Sequence, residues 1–268
     1  MKLMIDLLAN LQPVVLIAML ILMYCIENVL PYLNPPANKR KHYGRNFIIS
    51  LVSFLLNAVL GAVVVMVVEL TAQNHWGLLN QFELPPVFGW IIGILLFDFG
   101  SFLTHNLQHK VPVLWRFHRI HHSDNHLNVS SSLRFHPVDV IVSQCVYQCI
   151  GVMLIGLPIT AFVIYGSIAI PLLILQHSNV RFPAKLERIA RLIFATPGWH
   201  KIHHASEQKD TDSHYGDVFT FWDRIFGTWG KKQPHEIQYG LAEFNEDKHH
   251  RVGHLMASPF KKNTSSRY

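Results

Sequence analysis

Residues 86–122 read PVFGWIIGILLFDFGSFLTHNLQHKVPVLWRFHRIHH. The first part, 86–104, is apolar but for Asp98. A helix needs about 20 apolar residues to cross a bilayer, so 86–104 reads as a membrane span. Where the apolar run stops, histidines begin. His105 and His109 form an HxxxH; His118, His121 and His122 form an HxxHH. On a helix, residues three and four apart share a face, so the spacing aims two or three imidazoles of each box at one point. A span that delivers histidines to its own end predicts an all-α membrane protein with a metal at the membrane face.

Working outward, four more stretches have the length or nearly so: 11–33, 47–70, 138–155 and 159–176. The last two are separated only by Gly156-Leu157-Pro158, which is short for two full crossings and fits a tight hairpin that does not cross completely. The count is therefore about four to five transmembrane helices. The first stretch has no small-residue cleavage site and is too long for a signal core, so it is read as retained. Composition agrees. Half of the 268 residues are hydrophobic and 15% are charged, against roughly 25% in soluble domains. Three cysteines, all in apolar runs and none in a CxxC pair, exclude a disulfide framework or a zinc knuckle. A nucleic-acid binder is not indicated.

Basic residues set the orientation. If the spans alternate, all of the 23 Lys and Arg except Lys2 fall on one side: in 34–46, in 105–137, and from 177 onward. That side should be cytoplasmic. It carries every histidine box. The expectation is one membrane-embedded domain, 1–268, with cytosolic catalytic parts at 105–137 and 177–268, in a bacterial inner membrane or an endoplasmic reticulum membrane. Asn-x-Ser/Thr sequences at Asn128 and Asn263 would then escape glycosylation. In 184–195, Leu186, Ile189, Ala190 and Ile193 recur at helical spacing, which predicts an amphipathic helix in the membrane interface or packed on the soluble part.

A third box, His200-Lys201-Ile202-His203-His204, lies beyond the last span. Two HxxHH sequences are present where about 0.08 are expected by chance at this histidine frequency. Eight box imidazoles exceed the four ligands of one zinc and suit two first-row ions, for which imidazole accepts iron as readily as zinc. No HExxH zinc-protease helix occurs.

The boxes HNLQH, HRIHH and HKIHH, in that order, resemble the fatty acid hydroxylase / sterol desaturase superfamily of membrane di-iron oxygenases. So do Asp98 seven residues before His105, Arg134-Phe135-His136-Pro137, His177-Ser178-Asn179, Thr196-Pro197-Gly198-Trp199, Tyr215-Gly216, and Trp222-Asp223-Arg224-Ile225-Phe226-Gly227-Thr228. The likeness spans about residues 90–230. One departure is His214, where the family usually has Asn.

The resemblance implies a transmembrane core capped by a cytosolic helical domain, with two iron ions as cofactor. The implied ligands are His105, His109, His118, His121, His122, His200, His203 and His204, with His177 a ninth. His136 is a candidate tenth, or else a turn residue before Pro137. Asp98 is the candidate catalytic carboxylate, with the role of accepting a ligand imidazole N–H; packing between helices is the other reading. His126 and His214 are candidates for supporting the ligands. Trp222, Asp223, Phe226 and Gly227 read as structural. His42, His75, His235, His249, His250 and His254 belong to no box and should be solvated.

The implied activity is O2-dependent hydroxylation or desaturation of a lipid drawn from the bilayer: an acyl chain, a sterol or a related isoprenoid. The chain has no HPGG haem motif and no GxGxxG, so electrons must come from a separate donor protein, an NAD(P)H-linked reductase. Two rivals stand beside this. A metal transporter or storage protein predicts ionisable groups near the middle of the spans, along a path; the spans are almost free of them there, with Asp98 and Glu27 the exceptions. A dinuclear hydrolase predicts bridging carboxylates, which the boxes lack.

Overall fold

The computed structural model describes residues 2–261. Asn263 lies outside them. Among the described residues there is no strand, only three isolated bridges. Five helices are long and apolar enough to cross a membrane: α1 (Lys2–Val29), α2 (Lys39–Gln73), α3 (Pro86–Lys110), α5 (Pro137–Ile155) and α6 (Ile159–His177). Three shorter helices matter to the site: α4 (Pro112–His122), α7 (Ala184–Ala190) and α8 (Pro197–His203).

Proline starts the helices that carry the chemistry. Pro86, Pro112, Pro137 and Pro197 occupy the first turn of α3, α4, α5 and α8. There the missing N–H costs nothing and φ is already set for a helix. Pro112 also separates α3 from α4 one residue after the Val111 that caps both. His109 and His118 are thus carried on two helices that meet at an angle. The first helix begins nine residues earlier than the apolar run, because Leu, Met and Ala at its start favour helix, and it runs on through Pro13. It ends at Val29, short of Leu33, because the backbone leaves to bond across the chain. Tyr32 N donates to Asn179 O (3.0 Å) and Leu33 N to Asn179 Oδ1 (2.7 Å).

The hairpin of α5 and α6 has two arms of 19 residues, each long enough to span. α5 widens to π-helix over Val142–Ile150. It stops at Gly156 (φ 73°), whose left-handed backbone suits glycine. Gly156 meets Gly77 (φ 91°) backbone to backbone; a Cβ on Gly77 would stand 2.1 Å from Gly156 N. The α2–α3 and α5–α6 connections therefore share one end of the bundle. At the other end, Lys41 and Arg45 pair with Asp247 (2.9 and 2.8 Å), and Asn46 donates to Asp124 (3.1 Å). The basic stretch 39–45, the α4 region and the tail thus gather at the end that carries the histidines.

Val68, Phe97, Tyr147, Leu157 and Ala161 fill the bundle between α2, α3, α5 and α6. Trp115, Ile120, Phe244 and Leu255 seal the tail onto α4. The outer surfaces of α1 and α2 are apolar and exposed, as at Ile17, Ile21, Phe54, Leu55 and Val59. α7 ends five residues before the predicted amphipathic segment does. Leu186, Ile189 and Ile193 are all exposed, so this segment is not packed on the protein's own core.

Two buried charges pin the loops. Glu27 of α1 accepts from Val129 N (2.9 Å), Asn179 N (3.0 Å) and the Tyr43 hydroxyl. Arg134 is fully buried and donates to Asn46 Oδ1 (2.6 Å), Ser123 Oγ (2.8 Å) and Ile120 O (3.0 Å). It clamps α2 against the end of α4. Phe135 then stacks on His121, ring centres 4.4 Å apart.

Candidate metal centre

Nine of the ten histidines expected as ligands converge, in two sets. One is His105, His109, His118, His122 and His203; the other is His121, His177, His200 and His204. All nine are buried, and within each set the facing nitrogens lie within 4.8 Å of one another. The boxes do not each serve one point, as their spacing alone suggested. In HRIHH, His118 and His122 go to the first set and His121 to the second. In HKIHH, His200 and His204 go to the second set and His203 to the first. Helical geometry explains the split. Positions i and i+4 differ by about 40° around the axis, whereas i+3 and i+4 differ by about 100°. Each HxxHH box keeps its i and i+4 rings together and sends its i+3 ring to the other set, while HNLQH gives both rings to the first. The sets touch where His122 stacks on His204, with centres 4.5 Å apart.

The residues fit metal ions. His177 Nε2 lies 3.0 Å from both His121 Nε2 and His200 Nε2, and His204 Nε2 is 3.2 Å from His200 Nε2. In the first set, His122 Nε2 is 3.1 Å from His109 Nε2 and 3.3 Å from His118 Nε2. Ligands at about 2.1 Å from one first-row ion would be separated by about 3.0–3.4 Å. Four of the rings are anchored through Nδ1. His177 Nδ1 donates to Leu173 O (2.7 Å) and His118 Nδ1 to Asp139 Oδ2 (3.0 Å). His105 Nδ1 donates to Tyr215 O (2.9 Å) and His203 Nδ1 to Ser213 O (2.7 Å). A neutral imidazole so anchored has only a lone pair on Nε2. His203 Nε2 is buried without any partner. Burial first, then neighbouring imidazoles, hold His121, His122, His200, His203 and His204 well below the usual histidine range. They are neutral and open to a cation.

The remaining expectations fall as follows. His136 stands outside both sets. Its Nδ1 accepts from Val138 N (3.1 Å), which caps α5, so the turn reading accounts for it. Asp98 is fully buried but touches no imidazole. It accepts from Tyr165 Oη (2.9 Å), Trp222 Nε1 (2.8 Å) and Phe219 N (3.4 Å), tying α3 to α6 and to the segment after box three. Other carboxylates approach the ligands: Asp139 at His118, Asp212 Oδ1 at 3.5 Å from His109 Nδ1, and Asp217 Oδ1 at 3.6 Å from His105 Nδ1. None was singled out from the sequence. Asp139 alone had a signal, lying three residues after His136 in an otherwise apolar span.

Asp223 accepts from Tyr215 N (2.8 Å), Gly216 N (2.9 Å) and Thr228 Oγ1 (2.6 Å), so it shapes the turn whose carbonyl holds His105. Burial raises its carboxyl to about 6 against those bonds. His214 adopts φ 58° and stacks on Trp199, with ring centres 4.5 Å apart. Asn and His both tolerate that backbone region, which explains the exchange at this position. His126 packs edge-on to His42, away from the ligands. His42 is not solvated: it lies 3.4 Å from Asp124, and Asn128 Nδ2 is 2.9 Å away. His250 is half-buried beside Arg134 (3.4 Å). His75 and His235 are exposed, and His249 and His254 pack on each other.

A cavity of about 250 Å³ opens from the ligands into the membrane-spanning region between α3, α5 and α6. His105, His118, His121, His177 and His200 form its head.

These features define a helical membrane protein with a buried, all-nitrogen histidine cluster that could hold metal ions, beside a membrane-depth cavity. The fatty acid hydroxylase family matches the chain over residues 90–228, just over half its length, and the chain belongs to that family. It is 30% identical over 190 residues to ornithine lipid hydroxylase OlsE of Rhizobium tropici, covering 69% of this chain and 56% of that one. It is 28% identical over 179 residues to alkylglycerol monooxygenase of Homo sapiens, covering 65% of this chain and 38% of that one. With cholesterol 25-hydroxylase of Homo sapiens the identity is 30% over 138 residues, 50% of this chain and 48% of that one. The chain thus spans less than two thirds of the length of these relatives. No solved structure matches it.

Proposed function

We propose that this chain is an O2-dependent hydroxylase of a membrane lipid, working with two iron ions held by the nine histidines. The observation that carries the proposal is the pair of ligand sets at the head of a cavity that lies at membrane depth. The relatives named above are hydroxylases or monooxygenases of an ornithine lipid, an alkylglycerol and cholesterol. Their names favour hydroxylation over desaturation and a substrate drawn from the bilayer.

The site would be held as follows. His105, His109, His118, His122 and His203 would take one ion, and His121, His177, His200 and His204 the other. Bound iron would supply the activation of O2 and the power to break an unactivated C–H bond. This chain's residues do the rest. Asp139, Tyr215 O, Ser213 O and Leu173 O fix the ring orientation and tautomer of four imidazoles through Nδ1. Ala169, Ile170 and Leu173 give the cavity an apolar wall along α6 that excludes water and holds a chain in register. Inserting one oxygen atom and reducing the other to water takes two electrons and two protons, so an external donor is required. A separate NAD(P)H-linked reductase fits that need.

The concentration of Lys and Arg at the histidine end supports a cytoplasmic site, where such a donor would dock. Exposed Leu186, Ile189 and Ile193 would rest in the membrane interface and keep that end against the bilayer. Purified protein, supplied with a reductase and membrane lipids, should consume O2 and leave a lipid bearing one added oxygen atom. No O2 uptake with iron fully loaded, across lipid classes, would contradict the proposal.

A further inference from the structure

The cavity runs along one face of α6. Tyr165, Ala169, Leu173 and His177 recur every four residues and all line it. From Tyr165 to His177 the rise is about 18 Å at 1.5 Å per residue, so the groove is long and narrow. Its α6 wall, at Ala169, Ile170 and Leu173, is apolar and suits a hydrocarbon chain. Its head is not.

Gln176 precedes His177 and lines the same cavity. The residue is fully buried, and neither its amide nitrogen nor its amide oxygen has a hydrogen-bond partner. A buried, unpaired amide loses both a donor and an acceptor interaction and is rarely tolerated without a purpose. Its position is constrained. His177 Nε2 stands 3.0 Å from His121 Nε2 and His200 Nε2, so Gln176 sits one residue from the second ligand set. Gln176 and the five head histidines line one cavity, so a group that pairs with it shares that cavity with the carbon that would be attacked.

The charge of the cavity narrows what that partner can be. No Lys or Arg lines it, and one carboxylate does, Asp217, held by the Ser101 hydroxyl. An anionic carboxylate or phosphate would find no cationic side chain and one like charge there, so it would be drawn to bound iron and not to Gln176. A neutral group that both accepts and donates meets the need of Gln176 without cost.

We infer that Gln176 is a substrate-selecting residue, and that the cavity takes a lipid carrying a neutral hydrogen-bonding group, of the amide or hydroxyl class, beside the oxidised carbon. This rests on reading the cavity as the substrate site. It commits further, because a bare hydrocarbon segment at the head would leave Gln176 unpaired.

The test measures binding, so that it stands apart from turnover. N-methylstearamide and octadecane share chain length and differ in the amide. Their competition for the full chain in detergent micelles is read by native mass spectrometry, on protein as purified and after chelator treatment. Wild type should prefer N-methylstearamide by about tenfold, the worth of one buried hydrogen bond at 1.4 kcal/mol. Gln176→Met and Gln176→Leu should abolish the preference and leave octadecane binding unchanged. Because the amide has no partner in the protein, both variants should melt at or above the wild-type temperature when lipid-free, with bound iron unchanged.

Equal binding of the two probes by wild type would overturn the inference. So would variants that lose both probes alike, or that melt several degrees lower, which reveals a structural partner. So would a preference that vanishes on chelation, which assigns the amide to a metal-bound water. Failure of the hydroxylase reading shows separately, as absent iron or absent turnover with probe preference intact.

Discussion

Asp98→Asn separates a carboxylate that builds the fold from one that tunes the ligands. Asp98 is 0% exposed and accepts from Tyr165 Oη at 2.9 Å and Trp222 Nε1 at 2.8 Å, while Phe219 N is more distant at 3.4 Å. Stranding a buried donor costs about 1–3 kcal/mol. Asp98→Ala strands the two close donors, for about 2–6 kcal/mol. Asp98→Asn keeps one acceptor and turns an NH2 toward a donor, for about 1–3 kcal/mol on the same scale. Roughly 2–4 °C of melting temperature goes with each kcal/mol in a chain of this size, so the Asn variant should melt about 2–12 °C lower.

The assay is thermal unfolding in detergent with metal analysis at 4 °C on the same samples. Bound metal should be unchanged in the Asn variant, because Asp98 touches no imidazole. Trp222→Phe removes one of the two close donors. The double variant should therefore be less destabilised than the sum of the singles, by about 0.5–3 kcal/mol. If Asp98→Asn loses metal while its melting temperature holds, or if the two variants add, the stapling role is wrong.

The remaining predictions concern neighbouring features. Asp139→Asn weakens the acceptor for His118 Nδ1 and should lower metal affinity or turnover by about 10–100-fold; unchanged bound metal and turnover in a folded variant would contradict this. His214 is held at about 4 by burial, below the ordinary histidine value. As pH falls through about 6.5 the unfolded chain takes up this proton first, so the stability associated with a neutral His214 is lost between about 6.5 and 4, up to about 3 kcal/mol. His214→Asn tolerates the same φ and does not titrate, so melting curves of the two proteins should diverge below pH 6.5; parallel curves would show that His214 is not the group. Gly156→Ala forces a Cβ to 2.8 Å from Trp76 O at φ 73° and should cost at least about 1–2 kcal/mol with bound metal unaffected, read as a lower melting temperature.

Much of this architecture is legible in the sequence because the bilayer imposes simple rules. Apolar length marks the spans, and the same boxes mark the end at which the metal would sit. His177 is legible because it stands where α6 must end. What the sequence hides is what distant segments do to one another. Asp139, Asp212 and Asp217 reach His118, His109 and His105 only after folding; Asp212 is 103 positions from its histidine, and no local spacing records that. Asp98 looked like a partner of His105 two turns away on one helix. Its two oxygens instead accept from Tyr165 and Trp222, which folding brings from other segments. His42 carries no motif yet is drawn to Asp124 because the α2 start packs against the loop after α4. The division of each HxxHH between two sets is implicit in helical angles, but it needs the second helix to give the i+3 ring somewhere to go.

The most direct test of the account is metal stoichiometry resolved by ligand set. The protein is purified anaerobically with iron, and metal per chain is measured for wild type, His118→Ala and His200→Ala, with folding checked by melting. Two sets of imidazoles predict close to two irons per chain in wild type and close to one in each variant, since each substitution opens one set and leaves the other complete. A wild-type value near one, zinc in place of iron with turnover intact, or loss of both ions from either variant while the protein remains folded would contradict two separate histidine-held irons.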